Sequence, residues 1–188
     1  MMVSDPTSDP LHRRAQLFLL CLARSTLEAR FADADPPSPT PEPGPLTEAR
    51  GAFVTLKVEG VLRGCIGHVI GVAPLWRAVR DNALAAAFED PRFPPLTAEE
   101  LVKVRIEISA LTPLRRVAAE TIVVGRDGVL IEQGSARGLL LPQVAEEYGW
   151  DQETFLDHTC RKAGLEPGCW RHPNTAIFSF TADVFGEE

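Results

Sequence analysis

The sequence predicts an α+β fold built on antiparallel sheet, and three observations carry that prediction. Gly51 to Glu59 and Val61 to Val69 read as two strands around the turn Glu59-Gly60, which makes a β-hairpin. Val102 to Leu111 alternates cleanly: Val102, Val104, Ile106, Ile108 and Ala110 point one way, Lys103, Arg105, Glu107 and Ser109 the other. Between these strands, apolar residues recur at helical spacing. Strands joined by hairpin-like turns and mixed with helices belong to α+β domains.

Each element has a local reason. Asp9-Pro10 reads as N-cap and first helical residue. Leu11, Ala15, Phe18, Leu19 and Leu22 then carry a helix to about Ala29 or Arg30, and Leu17, Leu20 and Cys21 widen its apolar stripe. Residues 33–46 hold six prolines and form an extended connecting loop. Pro74 opens the next helix, with Leu75, Trp76, Val79, Ala83, Leu84 and Ala87 on its apolar side. Asp90-Pro91-Arg92-Phe93-Pro94-Pro95 is a rigid turn. Thr97-Ala98-Glu99-Glu100 has capping-box spacing. Thr121 to Val124, Gly128 to Ile131 and Arg137 to Leu141 read as strands, and Pro142 to Tyr148 as a short helix. Asp151 caps a helix that carries Phe155, Leu156 and Cys160 and that Gly164 closes. Thr175 to Phe185 alternates as one last strand.

Composition bounds the function. At 188 residues, 45% hydrophobic and 24% charged, the chain can bury a real core as one domain or two small lobes. The net charge of -7 and the absence of a lysine or arginine run argue against nucleic acid as the main partner. The apolar run Leu17 to Ala23 is far shorter than the about 20 residues a membrane helix needs. Leu22-Ala23-Arg24-Ser25 is a poor signal-peptide cleavage site, so a cytoplasmic protein is expected. Cys21, Cys65, Cys160 and Cys169 are irregularly spaced and are expected as free thiols, Cys21 being a small buried side chain.

The chemistry concentrates in Val61 to Val69, where Arg63, Cys65 and His68 interleave with Gly64 and Gly67. Strand alternation puts Arg63 and Cys65 on one face and His68 on the other; a bulge at Gly67 would swing His68 to Cys65. Cys65 suits a nucleophile, and the plainer reading is a compact packed residue. Arg63 suits an anion anchor, and the plainer reading is an internal ion pair with Glu107 or Asp90. His158, Cys160, Cys169 and His172 are residue types that suit zinc, but their spacing fits no common zinc pattern, so no metal or other cofactor is expected. No P-loop, GxGxxG, GxSxG or HExxH motif occurs.

Leu62-Arg63-Gly64-Cys65-Ile66-Gly67 resembles the signature of the AMMECR domain family. Gly51 to Leu56, Asp90 to Phe93, Ile106 to Ser109, Leu141 to Val144 and Lys162 to Leu165 resemble its other blocks, in order, so that the resemblance covers roughly residues 10 to 186. It implies a single AMMECR-like domain over residues 8–186 with two subdomains. The larger lobe would hold both chain ends, and a smaller lobe would form a cleft with it, lined by the signature. Leu62, Arg63, Gly64, Ile66, Gly67, Asp90, Arg92, Phe93 and Ser109 are then the expected binding residues, with Cys65, Glu107 and His68 as catalytic candidates. The family commonly has threonine after the signature, so a Cys–His pairing through His68 would be peculiar to this chain. Bacterial and archaeal members resemble protein A of the AmmeMemoRadiSam set, which implies a Memo-like protein and a radical-SAM enzyme as partners in a modification pathway. The family has no agreed activity. A cysteine-dependent enzyme and a non-catalytic adaptor gripping a protein or large substrate are the readings to separate.

Overall fold

The computed structural model describes residues 11–188, so Asp9-Pro10 and the first residues of the 8–186 span lie outside the described residues; the first helix starts at Arg13 with His12 as its N-cap, its ring accepting the Ala15 N–H, rather than with a cap at Asp9. The fold is α+β with two four-stranded antiparallel sheets. The described residues up to Pro113, with Asp183–Glu188, form one compact unit; Leu114–Ala182 form a second.

The first unit contains α1 (Arg13–Phe31), β1 (Ala52–Val58), β2 (Val61–His68), α2 (Leu75–Phe88), α3 (Ala98–Leu101) and β3 (Val104–Leu111). It ends with β8 (Ala182–Gly186), and its strand order is β2-β1-β3-β8. Period-two alternation decides which face is core. Ala52, Val54 and Leu56 of β1 and Val104, Ile106, Ile108 and Ala110 of β3 are buried. They pack with Leu19, Ala23 and Leu27 of α1 and Val79, Ala83 and Ala86 of α2 in one cluster. Asn82 pins α2 to the sheet, its buried amide donating to the Ala52 carbonyl at 3.0 Å. Arg24 of α1 donates to the Leu101 and Val104 carbonyls and to Glu187, which ties the C-terminal segment to the same helix. Residues 33–42 form neither helix nor strand, as their prolines dictate.

The second unit contains β4 (Arg115–Arg116), β5 (Gly128–Gln133), β6 (Ala136–Leu140), α4 (Pro142–Tyr148), α5 (Gln152–Lys162) and β7 (Ala176–Phe180), with strand order β4-β7-β5-β6. Its core holds Val129, Ile131, Ala145, Phe155, Leu156, Cys160 and Ile177.

Several expectations are corrected. Thr121 to Val124 is not a strand: Ala119–Thr121 is a 3-10 turn, and the Gln152 amide takes the Ala119 and Ile122 carbonyls that a strand partner would need. Val102 caps α3 and is 80% exposed, so the alternating run starts at Val104. Thr175 to Phe185 is two strands, β7 in one sheet and β8 in the other, because period two does not reveal which strand is the partner. Leu17 and Cys21 are exposed, outside the stripe that α1 buries. The short edge strand β4 and the 3-10 turn Cys169–Arg171 carry no sequence signal of their own. Cys160 and Cys169, expected as free thiols, form a disulfide with Cα atoms 6.0 Å apart; Cys21 and Cys65 are free.

Gly64 sets how closely β2 approaches α2. A Cβ built there would lie 2.1 Å from the Ala86 carbonyl oxygen, a backbone atom that cannot rotate away. Gly64→Ala is therefore expected to lower stability by about 2–3 kcal/mol or more, read from the urea midpoint; a loss below about 0.5 kcal/mol, the scale of an ordinary surface change, contradicts this packing.

Candidate functional site

The site begins with a register shift. A regular hairpin on the Glu59-Gly60 turn continues from Val58↔Val61 and Lys57↔Leu62 to Leu56↔Arg63, Thr55↔Gly64 and Val54↔Cys65. The observed pairs are instead Leu56↔Gly64, Thr55↔Cys65 and Val54↔Ile66. Arg63 is the extra residue, and beyond it every side chain of β2 changes face. Cys65 therefore leaves the face of Val54, packed under the helices, for the polar face of Thr55. Gly64 takes the buried position instead. The bulge lies at Arg63 rather than at Gly67, so His68 pairs with Ala52 and is not brought to Cys65.

On the polar face, Cys65, Thr55 and Glu107 stand in one cross-strand row. Gly67, Phe53 and Ser109 form the next row, and Leu62, Lys57 and Arg105 lie on the other side. The Thr55 hydroxyl donates to Cys65 Sγ at 3.3 Å. Lys57 Nζ donates to Glu107 Oε2 at 2.9 Å, in a pair whose side chains are 38% and 36% exposed. Cys65 is half-buried, as are Thr55, Glu107 and Ser109. A Cβ on Gly67 would lie 2.3 Å from the Ala52 carbonyl and 2.5 Å from the Phe53 ring, so glycine is required beside the aromatic side chain.

Two ionic clamps hold β2, which is the edge strand of its sheet. Asp90, with its side chain 2% exposed, accepts the Cys65 N–H at 2.9 Å; Arg92 donates to the Cys65 carbonyl at 3.2 Å and forks onto both Asp90 oxygens. Both backbone groups of Cys65 thus face outward, and the loop satisfies them as a neighbouring strand would. The Arg92 hydrogen bonds hold the Asp90 carboxyl well below the usual carboxylate range, helped by the Cys65 and Arg92 N–H groups and opposed by burial. The bulged Arg63 makes the second clamp. It donates through Nε and Nη2 to the two Glu100 oxygens at 2.7 and 2.9 Å, and through Nη1 to the Pro94 carbonyl at 2.9 Å. Its partner is Glu100, not Glu107 or Asp90. Phe93 lies under both guanidinium groups, 6.0 Å from Arg63 and 5.5 Å from Arg92. The Arg63 hydrogen bond holds the Glu100 carboxyl at about 2 against an ordinary 4.5, with the Thr97 N–H of the capping box adding to it.

The model of the AMMECR1 family matches residues 20–185. The chain belongs to the AMMECR1 family. It is 46% identical over 185 residues to Protein TK0174 of Thermococcus kodakarensis, covering 91% of this chain and 89% of that one. It is 44% identical over 187 residues to a protein of Methanothermobacter thermautotrophicus, covering 95% and 97%. The crystal structure of the uncharacterized protein PH0010 from Pyrococcus horikoshii shares the fold, with a TM-score of 0.77 at 41% identity over 97% of this chain and 94% of that one.

Within this AMMECR1 chain the signature divides its labour. Cys65, Leu62 and Gly67 belong to the polar face; Gly64 and Ile66 pack toward the core; Arg63, Asp90 and Arg92, expected at a ligand, are engaged with the chain itself. Thr55, Lys57 and Glu100 were not expected at the site. The hairpin register was the one available signal for Thr55 and Lys57, and the bulge misdirects it. Among the described residues no group of three or more His, Cys, Asp or Glu side chains could hold a metal, and the disulfide occupies two of the four residues weighed for zinc. Nor is any described helix long and apolar enough to cross a membrane.

Linkage gives a test of the Arg63 clamp. A carboxyl held below its unfolded value contributes stability that is present above about pH 4.5 and lost as pH falls toward 2. Glu100→Gln is expected to cost about 1–2 kcal/mol at pH 7 and to flatten the stability curve between those limits, measured by urea titration at stepped pH. An unchanged acid slope contradicts the clamp.

Proposed function

We propose that this chain is a binding component of a modification pathway. It holds a protein partner or larger substrate on the polar face of the β2-β1-β3-β8 sheet, in contact with the Cys65 thiol. One observation carries this: the bulge takes Cys65 out of the helix-packed core and sets it beside Thr55, in the row that ends at Glu107. A thiol needed only for packing would gain nothing from that displacement. Leu62, Gly67 and Ser109 extend the contact surface around it, while Arg63, Asp90, Arg92 and Phe93 keep β2 in place. A Memo-like protein and a radical-SAM enzyme are the proposed companions, on the strength of the family resemblance. The net charge of -7 favours a protein or small molecule over bare nucleic acid as the ligand.

A second reading, a cysteine-dependent enzyme, is favoured by the Thr55 O–H···S bond, which is oriented to stabilise negative charge on sulfur. In that reading Cys65 attacks an electrophilic centre and Glu107 serves as base once its Lys57 pair opens.

Both readings need an accessible thiol. Native protein titrated with iodoacetamide across pH, with the label mapped by mass spectrometry, is expected to modify Cys65 as well as the exposed Cys21. A Cys65 that stays unmodified up to about pH 9, above the ordinary thiol pKa, overturns them.

A further inference from the structure

The second unit has a cavity of its own, of about 370 Å³, which lies within the size range of small-molecule sites. Its walls are mainly polar and hold two cations beside a smaller apolar part. Arg116 comes from the edge strand β4, where both residues are exposed. Among the described residues no hydrogen bond or ion pair engages its guanidinium. Arg171 lies over the Trp170 ring, 3.8 Å from its centroid, and pairs with Glu153 at 2.6 Å. That pair is exposed on both sides, so a competing anion can replace it at little cost. Val117, Ala119 and Ile177 supply the apolar lining.

The frame of this cavity is rigid. Trp170 and Arg171 sit in the 3-10 turn Cys169–Arg171, which the disulfide ties to Cys160 of α5. The Trp170 indole N–H is fixed by Asp157 at 2.8 Å, and the Thr175 hydroxyl by the Cys169 carbonyl at 2.7 Å. A planar guanidinium held over an indole is a pre-positioned fork for an oxyanion. One carboxylate, Glu120, lines the same cavity. With Glu153 on Arg171, two arginines face two carboxylates, so the site has no surplus positive charge to hold a polyphosphate and suits a ligand with a single negative charge.

We propose that this cavity binds a small organic monoanion, its oxyanion between Arg116 and Arg171 and its apolar body on Val117, Ala119 and Ile177. The site is separate in sequence and sheet from the Cys65 face, and the proposal does not depend on the reading of that face.

The test is a nitrogen–proton correlation titration of the whole chain. The probes are benzoate, inorganic phosphate and the uncharged benzamide, in a buffer free of other oxyanions. Benzoate is expected to shift the Arg116, Arg171 and Trp170 side-chain N–H signals saturably, with a Kd of about 10 mM or tighter for so small a molecule. Arg116→Gln is expected to weaken that binding at least tenfold, and Arg116→Lys less, while signals of the first unit stay in place. Equal shifts with benzamide overturn the anion assignment. Binding of phosphate without benzoate overturns the apolar body. No saturable shift with any probe, or a benzoate response unchanged in Arg116→Gln, overturns the site.

Discussion

One extra residue in an edge strand governs what this molecule presents. Arg63 has no partner across the β1–β2 hairpin, and by being there it turns the rest of β2 over. Were Arg63 paired with Leu56 in a regular hairpin, Cys65 would pair opposite Val54 and point under the helices; with Arg63 left unpaired, Cys65 meets the Thr55 hydroxyl on the polar face. The extra residue is held by a two-pronged ion pair to Glu100, and Glu100 is in turn part of the α3 capping box. A local helix start thus carries a bulge two elements away.

An edge strand also needs its outward backbone groups satisfied. Here the loop after α2 does so with one residue pair. Asp90 accepts the Cys65 N–H and Arg92 donates to the Cys65 carbonyl, so the free edge is covered at the residue that carries the thiol. Gly64 then lets β2 lie against α2, and Gly67 leaves room for Phe53. Three different devices, an ion pair, a loop mimicking a strand and missing Cβ atoms, all fix the same five residues. That convergence suits a surface that must keep its shape when a ligand arrives.

Much of the fold was legible in the sequence, because alternation at Phe53–Val58 and Val104–Ala110 and helical spacing at Leu75–Ala87 report burial directly. The site was legible as a place but not as a geometry. Arg63 and Cys65 were expected to share a face by simple alternation, and a bulge was expected at Gly67. Alternation carries no information about where an extra residue enters, and glycine is only one way to make room for it. The Arg63–Glu100 pair spans 37 residues, and nothing local in either residue names the other. The same limit explains Cys160 and Cys169. Their pairing depends on how α5 and the turn at Cys169–Arg171 meet, which spacing alone does not show.

The exposure of Cys65 on the polar face rests on the register of β2, and proton NMR reads register directly. Cys65 turns both backbone groups outward, so it faces Thr55 as a non-hydrogen-bonded pair, in which the two Cα atoms come closest. A strong Hα–Hα nuclear Overhauser effect between Thr55 and Cys65 is expected. Strand contacts that instead pair Thr55 with Gly64 and Val54 with Cys65 would mean a regular hairpin, a core-facing thiol and no site on the polar face.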